Sequence, residues 1–420
     1  MIRMEKIALI NGFIFDSTGR PVFKGSILIN NGRIENIGCA DEVNVTDDYK
    51  LIDLKGGFVM PGLIDAHMHL TGSRSGKVEE DLIIPMGVFF ARAIKDLESI
   101  INAGFTTIVD AGSILAVQLK EAINEKTIIG PRIVAAGPVL SQTFGHGDTH
   151  YLPIDYVDYR TTKKLTPFSS LICDGCDECR KAARYAFREG ADFIKVMASG
   201  GVLSQRDRPE YRQFTLEELK AIVDEANAVG KWVHAHAEGK IGIINSAKAG
   251  VKVIAHGDMM DEEAAKEVLR AGSVVVPTFA IDYALLEKGS ELGVPEWGMK
   301  KIKELYEIHV DNARLAYKMG IKLATGTDFS GGVGKHGDNA IELKLFVEKI
   351  GMKNEEALIS STKIASEAAG LENSIGTLEK GKIADLIAIK GNPLEDINVL
   401  TNKDNILFVM KDGEIYKNKL

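Results

Sequence analysis

The chain has 420 residues, 45% of them hydrophobic and 26% charged, with a formal net charge of −8. That length is too great for one small domain and suits a large domain with a smaller one beside it. The composition is that of a soluble globular protein, and the acidic surplus argues against nucleic acid or an anionic membrane as the main partner. The opening Met1-Ile-Arg-Met-Glu-Lys6 lacks the apolar core of a signal peptide, and no apolar run reaches the ~18 residues of a membrane-spanning helix, so a cytoplasmic protein is expected.

Residues 1–57 read as short strands: Lys6–Ile10, Ser26–Ile29 and Arg33–Ile37 are β-rich, and Asn31-Gly32 is a hairpin turn. The other end has the same texture, with Ile383–Ile389 and Ile406–Met410 as strands and an Asp-Gly turn at Asp412-Gly413. Neither end alone can build a sheet with a covered face. The expectation is therefore one small β-sandwich domain made from residues 1–57 and 376–420, outside a larger domain at 58–375.

An apolar run, Phe58 to Ile64, leads into His67 and His69. Strand side chains alternate with period 2, so the two imidazoles point the same way and can share one metal ion. A helix is expected from Glu80 to Ala103, then a strand at Phe105–Asp110, a helix at Ile114–Asn124 and a strand at Arg132–Ala136. A long loop near 138–172 follows. Cys173, Cys176 and Cys179 form C-x-x-C-x-x-C, which could hold a metal. The segment runs straight into a helical pattern, however, so a plain helix start with Asp174 as N-cap is preferred.

Further strands are expected at Asp192–Met197, Lys231–His236, Val251–His256, Ser273–Phe279 and Ile321–Asp328. Helices separate them, one opening with a capping box at Thr215 and Glu218 and another being a long helical region ending near Met319. Eight strand-plus-helix units predict an α/β fold, a closed (β/α)8 TIM-type barrel. In such a barrel the chemistry sits at the C-terminal ends of the strands. Those ends carry His67 and His69, Lys195, His234 and His236, His256 and Asp328. Any one of these has an ordinary structural explanation, but unrelated accidents would not place ligand types only at strand C-termini. Together they form a site for one or two divalent metals.

With these residues the chain resembles the metal-dependent amidohydrolase superfamily. The motifs are Pro61–His69, Phe193-Ile-Lys-Val-Met-Ala-Ser-Gly-Gly201, His234-Ala-His-Ala-Glu-Gly239, Ala255-His-Gly257 and Gly326-Thr-Asp328. Within the superfamily the chain looks most like the branch of Xaa-Pro dipeptidases and carboxypeptidase-like, ochratoxin-hydrolysing members. The resemblance implies that His67, His69 and Asp328 hold a buried metal and that His236 and His256 hold an outer one. Lys195, carboxylated by CO2, would bridge the two; zinc is the default ion. A carbamate supplies two oxygens and a negative charge where an ammonium would repel the metals, and it forms only from the neutral amine. Glu238 stands where the family often has a histidine.

The implied activity is hydrolysis of an amide bond in a dipeptide or N-acyl amino acid, with Asp328 shuttling the proton. His146 and Tyr211, on the long loops near 138–172 and 199–214, and His234 are candidates for binding substrate. Arg206, Arg208 and Arg212 could clamp a free carboxylate. The implied partners are a small peptide or N-acyl amino acid and a second copy of the chain. The rivals are a single-metal deaminase or imidazolonepropionase-type enzyme, which has no use for a bridging lysine, and a non-catalytic metal-binding scaffold.

Overall fold

The computed structural model describes residues 5–39, 41–77, 79–162 and 166–420. Met1 to Met4, at the start of the expected small domain, and residues 163–165 of the long loop lie outside the described residues. Strands from both ends of the chain lie in one eight-stranded sheet. Its order runs Glu414–Asn418, Ile406–Lys411, Leu386–Ile389, Phe58–Pro61, Ile7–Ile14, Phe23–Asn30, Arg33–Gly38, with Lys50–Asp53 also paired to Ile7–Ile14. Ile7, Leu9, Ile14, Ile27, Val59 and Phe408 pack into its core.

The expected boundary after residue 57 moves. Phe58–Pro61 pairs antiparallel with Leu386–Ile389, so it belongs to the terminal sheet. The apolar run that reads as one strand is two. Gly62 N–H donates to Asp385 O beside the terminal sheet at 3.0 Å, and Leu63 N–H donates to Gly104 O beside the parallel sheet at 3.0 Å. The handover occurs at Gly62, where a Cβ would lie 2.1 Å from Thr106 Oγ1.

The remaining strands are parallel and buried almost along their whole length, as strands covered on both faces are. Leu63–Met68, Phe105–Asp110 and Arg132–Ala135 form a three-stranded sheet. A six-stranded sheet runs Ser170–Ile172, Val139–Ser141, Ile194–Met197, Val233–Ala237, Val253–His256, Val274–Val276. The long loop thus contributes two short strands of its own. Regular ladders do not close a ring. Backbone hydrogen bonds nevertheless cross the gaps: Asp192 N–H to Ala135 O at 2.7 Å; Val275 N–H to Lys322 O and Ala324 N–H to Val275 O, both at 2.9 Å; and Ala66 N–H to Thr325 O at 2.9 Å with Asp328 N–H to His67 O at 2.7 Å. The segment 321–328, read as a strand, is an extended stretch with one isolated bridge at Leu323. It leaves strand geometry at Asp328, whose φ is 55°.

Helices cover the parallel strands. The expected helix from Glu80 is broken into Glu80–Ile83 and Met86–Asn102, because Pro85 cannot continue a helix and instead precedes the second one. Met86–Asn102 buries Phe89, Ala93, Leu97, Ile100 and Ile101 on one stripe. Each of the larger side chains contributes about 1.5–3 kcal/mol when fully buried. The capping box forms as read: Thr215 N–H donates to Glu218 Oε2 at 2.7 Å, and Glu218 N–H to Thr215 Oγ1 at 3.2 Å. The long region near 280–319 is two helices, Phe279–Lys288 and Glu296–Lys318, with Pro295 at the start of the second.

Cys176–Arg188 is a helix whose N-cap is Gly175, not Asp174; the Asp174 carboxylate instead accepts from Thr143 N and Oγ1 at 3.0 and 2.6 Å. Cys173 and Cys179 are buried, Cys176 is exposed, and among the described residues no cysteine joins a group able to hold a metal. No helix among them is long and apolar enough to cross a membrane.

Candidate active site

The polar residues at the strand C-termini converge on one buried cleft. Its inner part, of about 80 Å³, is lined by His67, His69, Lys195, His236, His256 and Asp328 among others. An outer part of about 250 Å³ shares His69, His146, Phe168, Leu203, Ile281 and Asp328 with it.

His67 is set by its strand and by what lies behind it. His67 Nδ1 shares a 3.0 Å hydrogen bond with His234 Nε2, so Nε2 is the nitrogen presented to the site. His67 Nε2 lies 3.4 Å from Asp328 Oδ1 and 3.2 Å from Lys195 Nζ. His69 Nε2 lies 3.0 Å from the same carboxylate oxygen. Burial and then Lys195 pull the His67 imidazole down to about 3, so it is neutral, as a metal ligand must be. Burial pushes Asp328 up, but hydrogen bonds from His67 and His69 outweigh it and hold the carboxyl well below its ordinary range. His67, His69 and Asp328 are a three-donor group whose ligand atoms lie within 4.8 Å of one another, the donor chemistry of a zinc-like ion.

Lys195 stands beside them, 1% exposed on Ile194–Met197. Burial lowers its ammonium to about 7, against the pull of Asp328 and Asp110, so much of it is neutral amine near neutral pH. The His236 and His256 rings lie 4.6 Å apart, and the His256 ring is 5.2 Å from that of His67. His256 Nδ1 bonds Thr278 Oγ1 at 2.8 Å, which leaves Nε2 free. His236 Nε2 bonds Gly200 O at 3.1 Å, which leaves Nδ1 free.

Backbone strain accumulates here. His256, Thr278 and Asp328 have φ of 70°, 60° and 55°. The left-handed region costs an L-residue about 1–2 kcal/mol, more for β-branched threonine, and persists where surrounding bonds over-determine it. Asp65 supplies several of those bonds. Its carboxylate accepts from His67 N and Thr327 N, both at 3.1 Å, from Thr327 Oγ1 at 2.7 Å and from Asn339 Nδ2 at 2.6 Å. It locks the His67 strand to the Asp328 segment. Gly326 permits their approach, since a Cβ there would lie 2.7 Å from His67 N.

Of the residues expected to bind substrate, His146 lies in the cleft. It stacks on His236 with ring centroids 4.2 Å apart and lines both parts of the cleft. His146 Nδ1 bonds Ser204 Oγ at 2.8 Å, Ser204 in turn bonds Asp207, and Gln213 bonds both Asp207 Oδ2 and His146 N. Tyr211 is not in place: it is 47% exposed and lines neither part of the cleft. His234 also lines neither, because it is wholly buried behind His67 and acts on that residue. The arginine clamp does not form. Arg206, Arg208 and Arg212 are exposed and outside the cleft, and Arg208 pairs with Glu210.

Asp65, Thr278, Ser204, Asp207 and Gln213 are missing from the sequence reading. Asp65 shares strand parity with His67, which is a usable signal. The others act through contacts distant in sequence.

A family model described as the amidohydrolase family matches residues 58–416. The ochratoxinase of Aspergillus niger is 34% identical over 419 residues, covering 97% of this chain and 85% of that one. Its crystal structure has a TM-score of 0.90 at 31% identity, over 99% of this chain and 97% of that one. A solved Xaa-Pro dipeptidase with methionine bound in its active site has a TM-score of 0.87 at 34% identity, over 98% and 100% of the two chains. The imidazolonepropionase of Pseudomonas putida (strain GB-1) is 25% identical over 396 residues, 86% of each chain.

Proposed function

The chain belongs to the amidohydrolase family and is a hydrolase acting on carbon–nitrogen bonds; from that premise we propose a two-metal enzyme that cleaves the amide bond of a dipeptide or N-acyl amino acid. The observation that carries the reading is the convergence of His67 Nε2 and His69 Nε2 on Asp328 Oδ1, at 3.4 and 3.0 Å, with Lys195 Nζ 3.2 Å from His67 Nε2. His67, His69 and Asp328 would hold one ion, His236 and His256 the other, with carboxylated Lys195 between them and zinc as the default ion. When bound, the ions supply Lewis-acid activation of water and of the scissile carbonyl.

The protein's own groups do the rest. An Asp328 carboxylate oxygen accepts the proton of the attacking water and returns it to the leaving amine. Ser204 gives its hydroxyl proton to Asp207, so His146 Nδ1 donates to Ser204 Oγ and the neutral ring turns Nε2 to the cleft as an acceptor for a substrate N–H. Asp207, behind Ser204, keeps the ring so oriented. Phe168, Leu203, Ile281, Val294 and Trp297 give the outer cleft an apolar wall for a substrate side chain. The hydrogen bonds that cross the gaps between the parallel sheets favour a (β/α)8 ring, with the terminal strands as a small β domain beside it. A single-metal deaminase or imidazolonepropionase-type reaction gives Lys195 no task, and its place in the cleft favours the two-metal reading.

The test is Asp328→Asn in metal-loaded protein. The proton carrier is lost while an oxygen ligand remains, so amide turnover should fall by at least ~10²-fold with most of the metal retained. Near-normal turnover contradicts the assignment.

A further inference from the structure

The inner end of the cleft is closed by side chains that amide hydrolysis leaves without a task. Glu238, Asp258, Asp282 and His309 line the same cavity as His67 and Asp328. They come from four elements: the turns after Val233–Ala237 and Val253–His256, and the helices Phe279–Lys288 and Glu296–Lys318. Their exposures are 6%, 3%, 7% and 1%.

Part of this set is satisfied internally. His309 Nδ1 bonds Asp282 Oδ2 at 2.8 Å and lies 3.5 Å from Asp258 Oδ1. Glu238 Oε1 accepts Val202 N–H at 3.2 Å. Glu238 Oε2, Asp258 Oδ2 and His309 Nε2 are buried without a hydrogen-bond partner. A buried carboxylate oxygen is costly unless something donates to it. The neighbouring ammonium cannot serve, because Lys301 Nζ donates to Gly201 O, Ser204 O and Asp207 O at 2.9, 2.6 and 2.7 Å.

Two open oxygens in a set with three carboxyl groups suit a cationic donor from outside the chain. Asp258, Asp282 and His309 could between them hold a metal ion. That ion would displace the His309–Asp282 hydrogen bond and would not draw on Glu238. A primary ammonium carries three N–H donors, enough for both open oxygens, and it breaks no bond already made. The inner cavity, about 80 Å³, admits a small group, while the outer part, about 250 Å³, takes the bulk of a substrate. Gly201 keeps the way open between His146 and Glu238: a Cβ there would lie 2.4 Å from His146 Cε1 and 2.9 Å from Glu238 Oε1.

We infer that Glu238 and Asp258 bind the free α-ammonium group of the substrate, so that the enzyme prefers dipeptides with an unblocked N-terminus to N-acyl amino acids. This narrows the substrate class of the amide-hydrolase reading and rests on it.

The experiment is calorimetric titration of zinc-loaded protein near neutral pH with L-leucinol, which carries the ammonium, and with 4-methylpentan-1-ol, which lacks it. Neither has an amide to hydrolyse. Leucinol should bind at least ~10-fold more tightly, the scale of a hydrogen-bonded charge, and Glu238→Gln should erase most of that difference. Equal affinities in the wild type overturn the inference without reference to any variant. So does a third zinc per chain that is lost in Asp282→Asn. Alongside, L-leucyl-L-proline and its N-acetyl derivative are compared as substrates. Equal kcat/KM for the two overturns the ammonium pocket and spares the hydrolase reading. Discrimination between the alcohols with no turnover of any amide supports the pocket and overturns that reading.

Discussion

His234 contributes no atom to the cleft, yet its removal should be felt at the metal position. His67 and His234 are both fully buried, joined Nδ1 to Nε2 at 3.0 Å. In His234→Phe the ring volume is nearly kept and the new side chain packs near Phe193, whose ring lies 5.7 Å from that of His234. The hydrogen bond is lost. Without metal, His67 has a remedy, because it can change tautomer and use Asp328 beside its other nitrogen. With an ion on Nε2 the proton must sit on Nδ1, where nothing accepts it. An unsatisfied buried donor costs about 1–3 kcal/mol, and that cost falls on the metal-bound state. It corresponds to roughly 5- to 150-fold in affinity, overlapping the ~10–100-fold range of other residues that orient metal ligands. Competition against a chelator measures the affinity, and thermal unfolding of the metal-free variant checks the fold. An affinity within about twofold of wild type would refute the reasoning that His234 fixes the His67 tautomer.

Lys195→Met removes the bridge and keeps an apolar filling, so elemental analysis should find about one tightly held ion per chain where the wild type holds about two; two in both would remove the bridging role. Burial lowers the His309 imidazole, but Asp258 and Asp282 more than offset this and lift it to about 9. Its stabilising contribution is therefore complete below its ordinary pKa of about 6.5 and is lost as pH rises through about 9. In metal-free protein the Tm gap between wild type and His309→Gln should be widest at the acid end of that window and close across it, and a pH-independent gap would contradict the ion pairing.

The part of the site legible in the sequence is the part that periodicity governs. His67 and His69 share a face because a strand alternates, and the same parity reaches back to Asp65. Residues whose role depends on another element carried no such mark. Thr278 meets His256 from the end of the next strand, and Ser204, Asp207 and Gln213 meet His146 across two loops. His309 sits in a helix whose buried stripe reads as ordinary core. The arginines after Gly201 misled for the opposite reason. Charge in a loop is visible in a sequence, but its direction is not, and here it faces solvent. At the fold level, Phe58 to Ile64 shows the limit of pattern reading: uniform apolarity marks burial without marking which sheet does the burying. Only Gly62, crowded by Thr106, records where the chain changes sheets.

The central claim is amide hydrolysis at the His67, His69, Lys195 and Asp328 centre. It is tested most directly by incubating zinc-reconstituted protein with a library of dipeptides and N-acyl amino acids and measuring release of the free amino acid. The account predicts metal-dependent release from at least one dipeptide class, abolished by chelation and restored by adding the ion back. Full metal occupancy with no amide cleaved across the library would contradict it.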